Sequence, residues 1–264
     1  MIKDLICASL IAAQLATGSL HPAEASSPAT DNPDYSYIIH ASGEIDSHLS
    51  TNSREALRKA YRDGNRFIEI DFLFSSDGIP VCVHDWNEAI LPGTEKHVPS
   101  SLDDFVSNRI YGKFTPMTLQ DVARFMTLHT DLYIITDVKD DNLGFCEHLA
   151  ENYPTLSDRF IIQVYSQDEY MSVLNLGFKK IIFTLYNLDW ETKTSPYYLV
   201  AFSRQYPIYA FTFPYELCEI EEYIETMKLA EVPLFIHTVN DKALQQKYFD
   251  MGIDGIYTDN TNHS

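Results

Sequence analysis

Glu69 and Asp71 stand two residues apart inside the apolar run FIEIDFLF (67–74). In an extended strand, side chains two apart point to the same side. Both carboxylates therefore aim at one place, while Ile68 and Ile70 face the other way. The segment SSDG (75–78) follows, and Asp-Gly between apolar runs is a strong hairpin signal. Folding the chain back at Asp77-Gly78 is expected to set Asp71 roughly opposite His84. That places two hard oxygen ligands beside a titratable imidazole. Carboxylates suit Mg²⁺ or Ca²⁺, and a histidine suits proton transfer near neutral pH. A solvated hairpin with charged tips is the competing reading, and it is disfavoured because an unpaired carboxylate inside an apolar strand is costly.

Other polar residues recur at the same relative place, the carboxyl ends of strand-like runs: His40, Asp137 with Lys139, Gln163, Tyr186, His237, and Thr258 with Asp259. His40 reads either as a second acid/base imidazole or as a hydrogen-bonded core histidine. Asp137 could complete a three-carboxylate cation site and Lys139 could meet a phosphate oxygen; alternatively the two form a rim ion pair of small energy. Tyr186, Phe213, Tyr215 and His237 are candidates to line a substrate pocket, as is Gln163. Asp85 reads as an orienter of His84 or as a turn cap, and Trp86 as a possible pocket wall. Asn52 precedes SREAL with Glu55 three residues on, a helix-capping pattern that accounts for Asn52 by itself; a role near the site is secondary.

The elements that must hold these residues follow a regular rhythm. Strand-like runs fall at 35–41, 67–74, 132–139, 160–166, 180–186, 207–213, 233–239 and 254–259, with helix-like stretches between them. Such alternation argues for parallel βα units, and eight strands with seven intervening helices match an α/β fold of the (β/α)8 TIM-barrel type. An open doubly wound sheet is the alternative, but no Gly-rich fingerprint follows the first strand. In a parallel barrel the chemistry sits at the carboxyl ends of the strands, where these polar residues fall. Two irregularities are expected: a hairpin and loop insertion over about 75–117, of a length that is usually functional or lid-like, and no outer helix after the last strand.

The chain has 264 residues and a formal net charge of −19. Such a surface repels nucleic acid and anionic membranes, so neither is an expected partner. A phosphate site must then supply its own local cation. Residues 1–25 read as a secretory signal peptide with cleavage near Ala25, and 26–34 as a polar linker ahead of one domain over 35–264. A secreted or periplasmic location follows, with no transmembrane segment in the mature chain. Outside the leader only Cys82, Cys146 and Cys218 remain, without metal-type spacing; a Cys146–Cys218 disulfide is conceivable but nothing in the sequence supports it. The sequence does not indicate an oligomeric state.

Taken in order, the motifs resemble the glycerophosphodiester phosphodiesterase family, within the wider phosphatidylinositol-phospholipase-C-like barrels. The residues that carry the resemblance are His40, Glu69-Ile70-Asp71, Asp77-Gly78, His84-Asp85, Asp137-Val138-Lys139, Thr238-Val239-Asn240 and the segment Gly252 to Asp259. The resemblance implies a divalent cation held by Glu69, Asp71 and Asp137, an acid/base pair of His40 and His84, and Lys139 on the phosphate of a small-molecule or lipid-derived phosphodiester. Ala41 stands where many members carry Arg, Asp137 where they often carry Glu, and His237 where they often carry Trp. The lost Arg is one cation fewer for the phosphate. A lyase giving a cyclic phosphate, or a non-catalytic binding barrel, are the alternatives.

Overall fold

The computed structural model describes residues 35–87, 90–92 and 97–263. The expected leader and linker, 1–34, lie outside them. Eight parallel strands close into a barrel: β1 (Tyr37–Ile39), β2 (Phe67–Phe74), β4 (Tyr133–Val138), β5 (Phe160–Val164), β6 (Ile181–Thr184), β7 (Ala210–Pro214), β8 (Leu234–His237) and β9 (Gly255–Thr258). β1 pairs with both β2 and β9, which closes the ring. A short strand, β3 (Pro80–Cys82), is antiparallel to β2. The eight expected strands are all present, because each run is apolar on both faces and so suits a sheet covered on both sides.

Alternation along these strands sorts the residues into two compartments. Even partners such as Ile68, Ile70, Ile134 and Ile162 pack outward against the helices in the main core. The other face builds a separate plug inside the barrel from Ile38, Phe67, Ile135, Ile161, Ile182, Ala210, Phe235 and Tyr257. Two residues further along each strand stand His40, Glu69, Asp137, Gln163, Thr184, Thr212, His237 and Asp259. The period of two therefore stacks one polar layer on one apolar layer. Gly255 leaves room for the plug: a β-carbon there would lie 2.6 Å from the Phe235 ring.

The outer helices are α1 (Arg54–Arg62), α3 (Leu119–Leu128), α4 (Asn142–Asn152), α5 (Gln167–Asn175), α7 (Pro196–Gln205), the short α8 (Tyr223–Met227) and α9 (Lys242–Met251). Most start on a side-chain cap: Ser53, Thr118, Asp141, Ser166 and Asp241 each accept a backbone N–H of the first turn. The cap of α1 is thus Ser53, not the expected Asn52. The helix-like stretch at 216–231, between β7 and β8, is not one helix but two 3₁₀ segments, Tyr215–Glu219 and Lys228–Ala230, flanking α8. Glu222 and Glu231 interrupt it in the left-handed conformation.

The excursion over 75–117 is more than a loop. It carries α2 (Leu102–Ser107), and Leu73, Val81, Val83, Trp86, Leu91, Phe105, Ile110 and Phe114 form a core of its own. Trp86 is an anchor of that core, 5.9 Å from Phe105, and not a pocket wall. The hairpin register pairs Phe72 with Cys82, which sets Asp71 across from Val83, one residue short of the expected His84. The ladder stops at Cys82, so His84 escapes its alternation. Cys82, Cys146 and Cys218 are all free and buried. After β9, residues 259–263 form no helix; Thr261 hydrogen-bonds Asp63 at 2.5 Å and His263 stacks on Tyr37 at 3.8 Å, tying the last strand back to the start of the barrel.

Phe67→Ala should lower stability by about 3–5 kcal/mol, since it opens a cavity in a plug that cannot collapse inside a closed sheet. Leu128→Ala, on an exposed helix position, should stay within about 0.5 kcal/mol. Denaturant unfolding of both variants checks the contrast, and equal effects would mean that the plug does not carry the barrel.

Candidate active site

Asp71 and Asp137 are in-register partners on β2 and β4, so their side chains stand side by side on the same face. Glu69 lies one pleat deeper on β2. Oxygens of all three carboxylates fall within 4.8 Å of one another. This is an expensive arrangement of like charge, and each partner in it is accounted for. The Asn52 amide donates to Asp71 Oδ2 at 2.8 Å while its own oxygen accepts the Asp71 N–H at 3.1 Å. The backbone N–H of Ala41 donates to Glu69 Oε2 at 2.6 Å. Ala41 reaches it from the left-handed region (φ 47°), an uncommon conformation outside glycine. Lys139 Nζ lies 2.7 Å from Asp137 Oδ2 and 3.0 Å from Asp71 Oδ1. The expected Asp137–Lys139 ion pair is therefore present, extended inward to a buried aspartate.

Two oxygens remain without a hydrogen bond, Glu69 Oε1 and Asp71 Oδ1. Lys139 is close to the latter but not aligned with it, so proximity there supplies charge and not a directed bond. Two orphaned buried carboxylate oxygens beside a third carboxylate form the donor set a hard divalent cation takes, and the residues fit such an ion.

The cluster opens into a cavity of about 560 Å³ lined by His40, Glu69, His84, Asp137, Lys139, Gln163, Tyr186 and His237, with Tyr165. Both histidines thus share one space with the acidic cluster. His40 Nδ1 lies 2.9 Å from Asp259 Oδ1, and Asp259 also accepts from the Asn240 amide at 2.6 Å. His84 is half exposed, with Nδ1 3.6 Å from Asp85 Oδ2. Gln163 accepts from Tyr257 Oη at 3.1 Å, and Thr212 Oγ1 lies 3.2 Å from His237 Nδ1. Asn52, given a secondary role near the site, is fully buried behind Asp71; Phe213 is buried in the main core and Tyr215 packs against it, and none of the three lines the cavity.

Sequence reasoning missed Tyr165 as a site residue. It sits just past β5, and its hydroxyl donates to Asp137 Oδ1. Its sequence signal is only its position two residues beyond Gln163. Asp259 was visible as a strand-end residue, but its bond to His40 joins opposite ends of the chain.

Electrostatics follow from the crowding. Burial, then the charge of Asp71, pushes Glu69 up to about 8. Burial pulls His40 down, but the Asp259 hydrogen bond and the charges of Glu69 and Asp71 outweigh it and bring it to about 9. Burial would also lower Lys139; Asp71, Asp137 and Glu69 hold it well above the ordinary lysine range. His237 goes the other way, to about 4, through burial and then the positive charges of His40 and Lys139. The polar layer thus holds one cationic and one neutral imidazole at neutral pH.

The sequence profile of the glycerophosphoryl diester phosphodiesterase family matches residues 41–263. No curated protein matches the chain. Among solved structures, a glycerophosphodiester phosphodiesterase from Thermotoga maritima is similar, with 23% identity, TM-score 0.70, and coverage of 86% of this chain and 95% of that one. One from Parabacteroides distasonis has 18% identity, TM-score 0.68, and coverage of 86% and 93%. A phosphodiesterase from Oleispira antarctica, in complex with the product sn-glycerol-3-phosphate, has 17% identity, TM-score 0.65, and coverage of 84% and 92%. These likenesses show the shared barrel.

His40 is held above its ordinary value of 6.5, to about 9. Its charged form therefore adds stability that is complete below pH 6.5 and is lost as pH rises through about 9. Asp259→Asn removes the largest raising partner and should lower the His40 pKa, shrinking that window. Histidine-resolved NMR titration of both proteins, free of divalent cation, checks it; an unmoved His40 would show that Asp259 does not set its charge.

Proposed function

The chain belongs to the glycerophosphoryl diester phosphodiesterase family and is a phosphoric diester hydrolase, and on that premise we propose that it hydrolyses glycerophosphodiesters with a divalent cation and two histidines. The observation that carries this reading is the three carboxylates within 4.8 Å of one another at a cavity that His40 and His84 both line. The sn-glycerol-3-phosphate held by the Oleispira relative supports the glycerol-phosphate half of the substrate.

In this reading Glu69, Asp71 and Asp137 hold the cation, Mg²⁺ or Ca²⁺, since an all-carboxylate set suits either. The ion supplies charge stabilisation at the phosphoryl oxygens. Lys139 adds the second positive charge, which matters more here because Ala41 brings no guanidinium. Its ammonium is already anchored by Asp71 and Asp137, so it meets the phosphate without first being ordered. Asn52 keeps Asp71 aimed at the ion. His40 donates its Nδ1–H to Asp259, which leaves Nε2 to exchange a proton with substrate. His84, on the half-exposed lip, serves the opposite end of the reaction: one imidazole takes the proton of the attacking hydroxyl and the other returns one to the departing alkoxide. Gln163, Tyr186 and His237 contact the rest of the substrate, and a neutral His237 does so without repelling Lys139.

A panel of glycerophosphodiesters, run with and without chelator and scored for glycerol phosphate, free alcohol and cyclic product, tests the reaction. Hydrolysis should stop on chelation and return with Mg²⁺ or Ca²⁺; cyclic product would make the substrate's own hydroxyl the nucleophile. His84→Ala should reduce turnover by ~10²–10⁴-fold with folding intact, and unchanged turnover removes His84 from the mechanism. The raised Glu69 makes cation binding proton-linked. Below pH about 8 a cation must displace the Glu69 proton, so affinity should rise with pH up to about 8 and then level off. Calorimetry in two buffers of different ionisation enthalpy should report proton release at pH 7; none would mean that Glu69 is already ionised there or is not a ligand.

A further inference from the structure

Every exposed Phe, Tyr or Trp among the described residues belongs to one segment, 186–198. Tyr186 is 64% exposed, Trp190 67%, Tyr197 71% and Tyr198 45%. The chain contains 34 residues of Phe, Tyr and Trp (15, 17 and 2), so their confinement to a single segment is not a consequence of composition. β6 and β7 are parallel, so the segment leaves β6 at its carboxyl end and α7 starts there before running back along the barrel. All four residues therefore sit at the end of the barrel where the cavity opens, and Tyr186 is itself part of the cavity lining.

The segment is fastened down. Asp189 caps the single turn α6 (Trp190–Lys193), Lys193 Nζ donates to the Tyr186 carbonyl at 3.2 Å, and Tyr223 Oη donates to the Lys193 carbonyl at 2.7 Å. Leu199, Val200 and Phe202 of α7 are buried in the main core. The fold thus anchors the backbone and the apolar face of α7 while leaving the rings outside. Trp and Tyr pair an apolar body with one polar group, the chemistry that settles at a boundary between hydrocarbon and water.

We propose that Tyr186, Trp190, Tyr197 and Tyr198 form an interfacial rim that seats the cavity mouth on a zwitterionic lipid surface, so that phosphodiester headgroups held in that surface enter the site directly. The inference rests on the phosphodiesterase reading above. The occupant must leave the mouth open to substrate; a lipid surface does so because it carries the substrate, whereas a protein seated on the same rim would plug it. Charge selects the kind of lipid. Residues 186–198 carry Asp189, Glu191 and Lys193, a formal charge of −1, in a chain whose total is −19. An anionic surface would repel the molecule, and a zwitterionic one would not.

The full chain is mixed with phosphatidylcholine vesicles, and with vesicles in which part of the phosphatidylcholine is replaced by phosphatidylserine. Of the two tryptophans, Trp86 is buried in the core of the insertion, so a blue shift on vesicle addition should come from Trp190 and vanish in Trp190→Phe. The triple variant W190A/Y197A/Y198A should sediment with phosphatidylcholine vesicles at least about tenfold more weakly, while its hydrolysis of soluble diesters stays within about twofold. Since the variants differ from the parent only at the rim, any membrane affinity of residues 1–34 cancels. Equal sedimentation of parent and triple variant, a spectral shift that survives in Trp190→Phe, or tighter binding to the serine-containing vesicles overturns the proposal. If the triple variant is misfolded by thermal unfolding, the single variant Trp190→Glu takes its place with the same expected loss. Rim-dependent binding without hydrolysis of any diester would instead overturn the phosphodiesterase reading and leave the rim standing.

Discussion

Three carboxylates within 4.8 Å of one another are the constraint on which the rest of the structure depends. Mutual repulsion and burial both oppose their ionised forms, and the fold answers each carboxylate separately. Asn52 holds Asp71 from behind, the Ala41 N–H holds Glu69 from the side, and Lys139 spans Asp71 and Asp137 from the cavity. Glu69 Oε1 and Asp71 Oδ1 are left without a hydrogen bond. A protein core gains nothing from such an arrangement; a packed apolar residue in place of any of the three would be cheaper. The cluster makes sense as a seat for positive charge, and its proton, lysine and cation compete for the same place.

What permits the crowding is the pleat of a closed sheet. Residues two apart share a face, so each strand contributes an apolar residue to the plug and a polar one to the layer above it. The plug keeps water away from the underside of the acidic cluster, which strengthens every charge interaction above it and raises Glu69. The same geometry gives the layer its asymmetry. Asp259 makes His40 a cation, while His237, buried and facing the positive charges of His40 and Lys139, stays neutral.

The departures from the family pattern read physically once the contacts are known. Ala41 has no charge to offer, yet its backbone is occupied in bonding Glu69, and its small side chain is fully buried. In the proposed reaction, the cationic work at the phosphate then falls to Lys139. Among its described residues, the insertion over 75–117, with its own apolar core, contributes one side chain to the cavity lining, His84.

The sequence by itself determined the periodic content of the protein: eight two-faced apolar runs, the helices between them, the Glu-x-Asp pair on one face, and the polar residues at the strand ends. These are local properties, since a strand's alternation and a helix's cap are read within a few residues. Even so, local reading set the cap of α1 one residue early and the hairpin one residue out of register, because neighbouring positions offered nearly equal alternatives. The residues brought together from afar were decided only by the tertiary structure: Asp259 on His40, 219 residues apart, Asn52 on Asp71, and Tyr165 on Asp137. Barrel closure sets those contacts, and no short window of sequence encodes which strand becomes the neighbour of which.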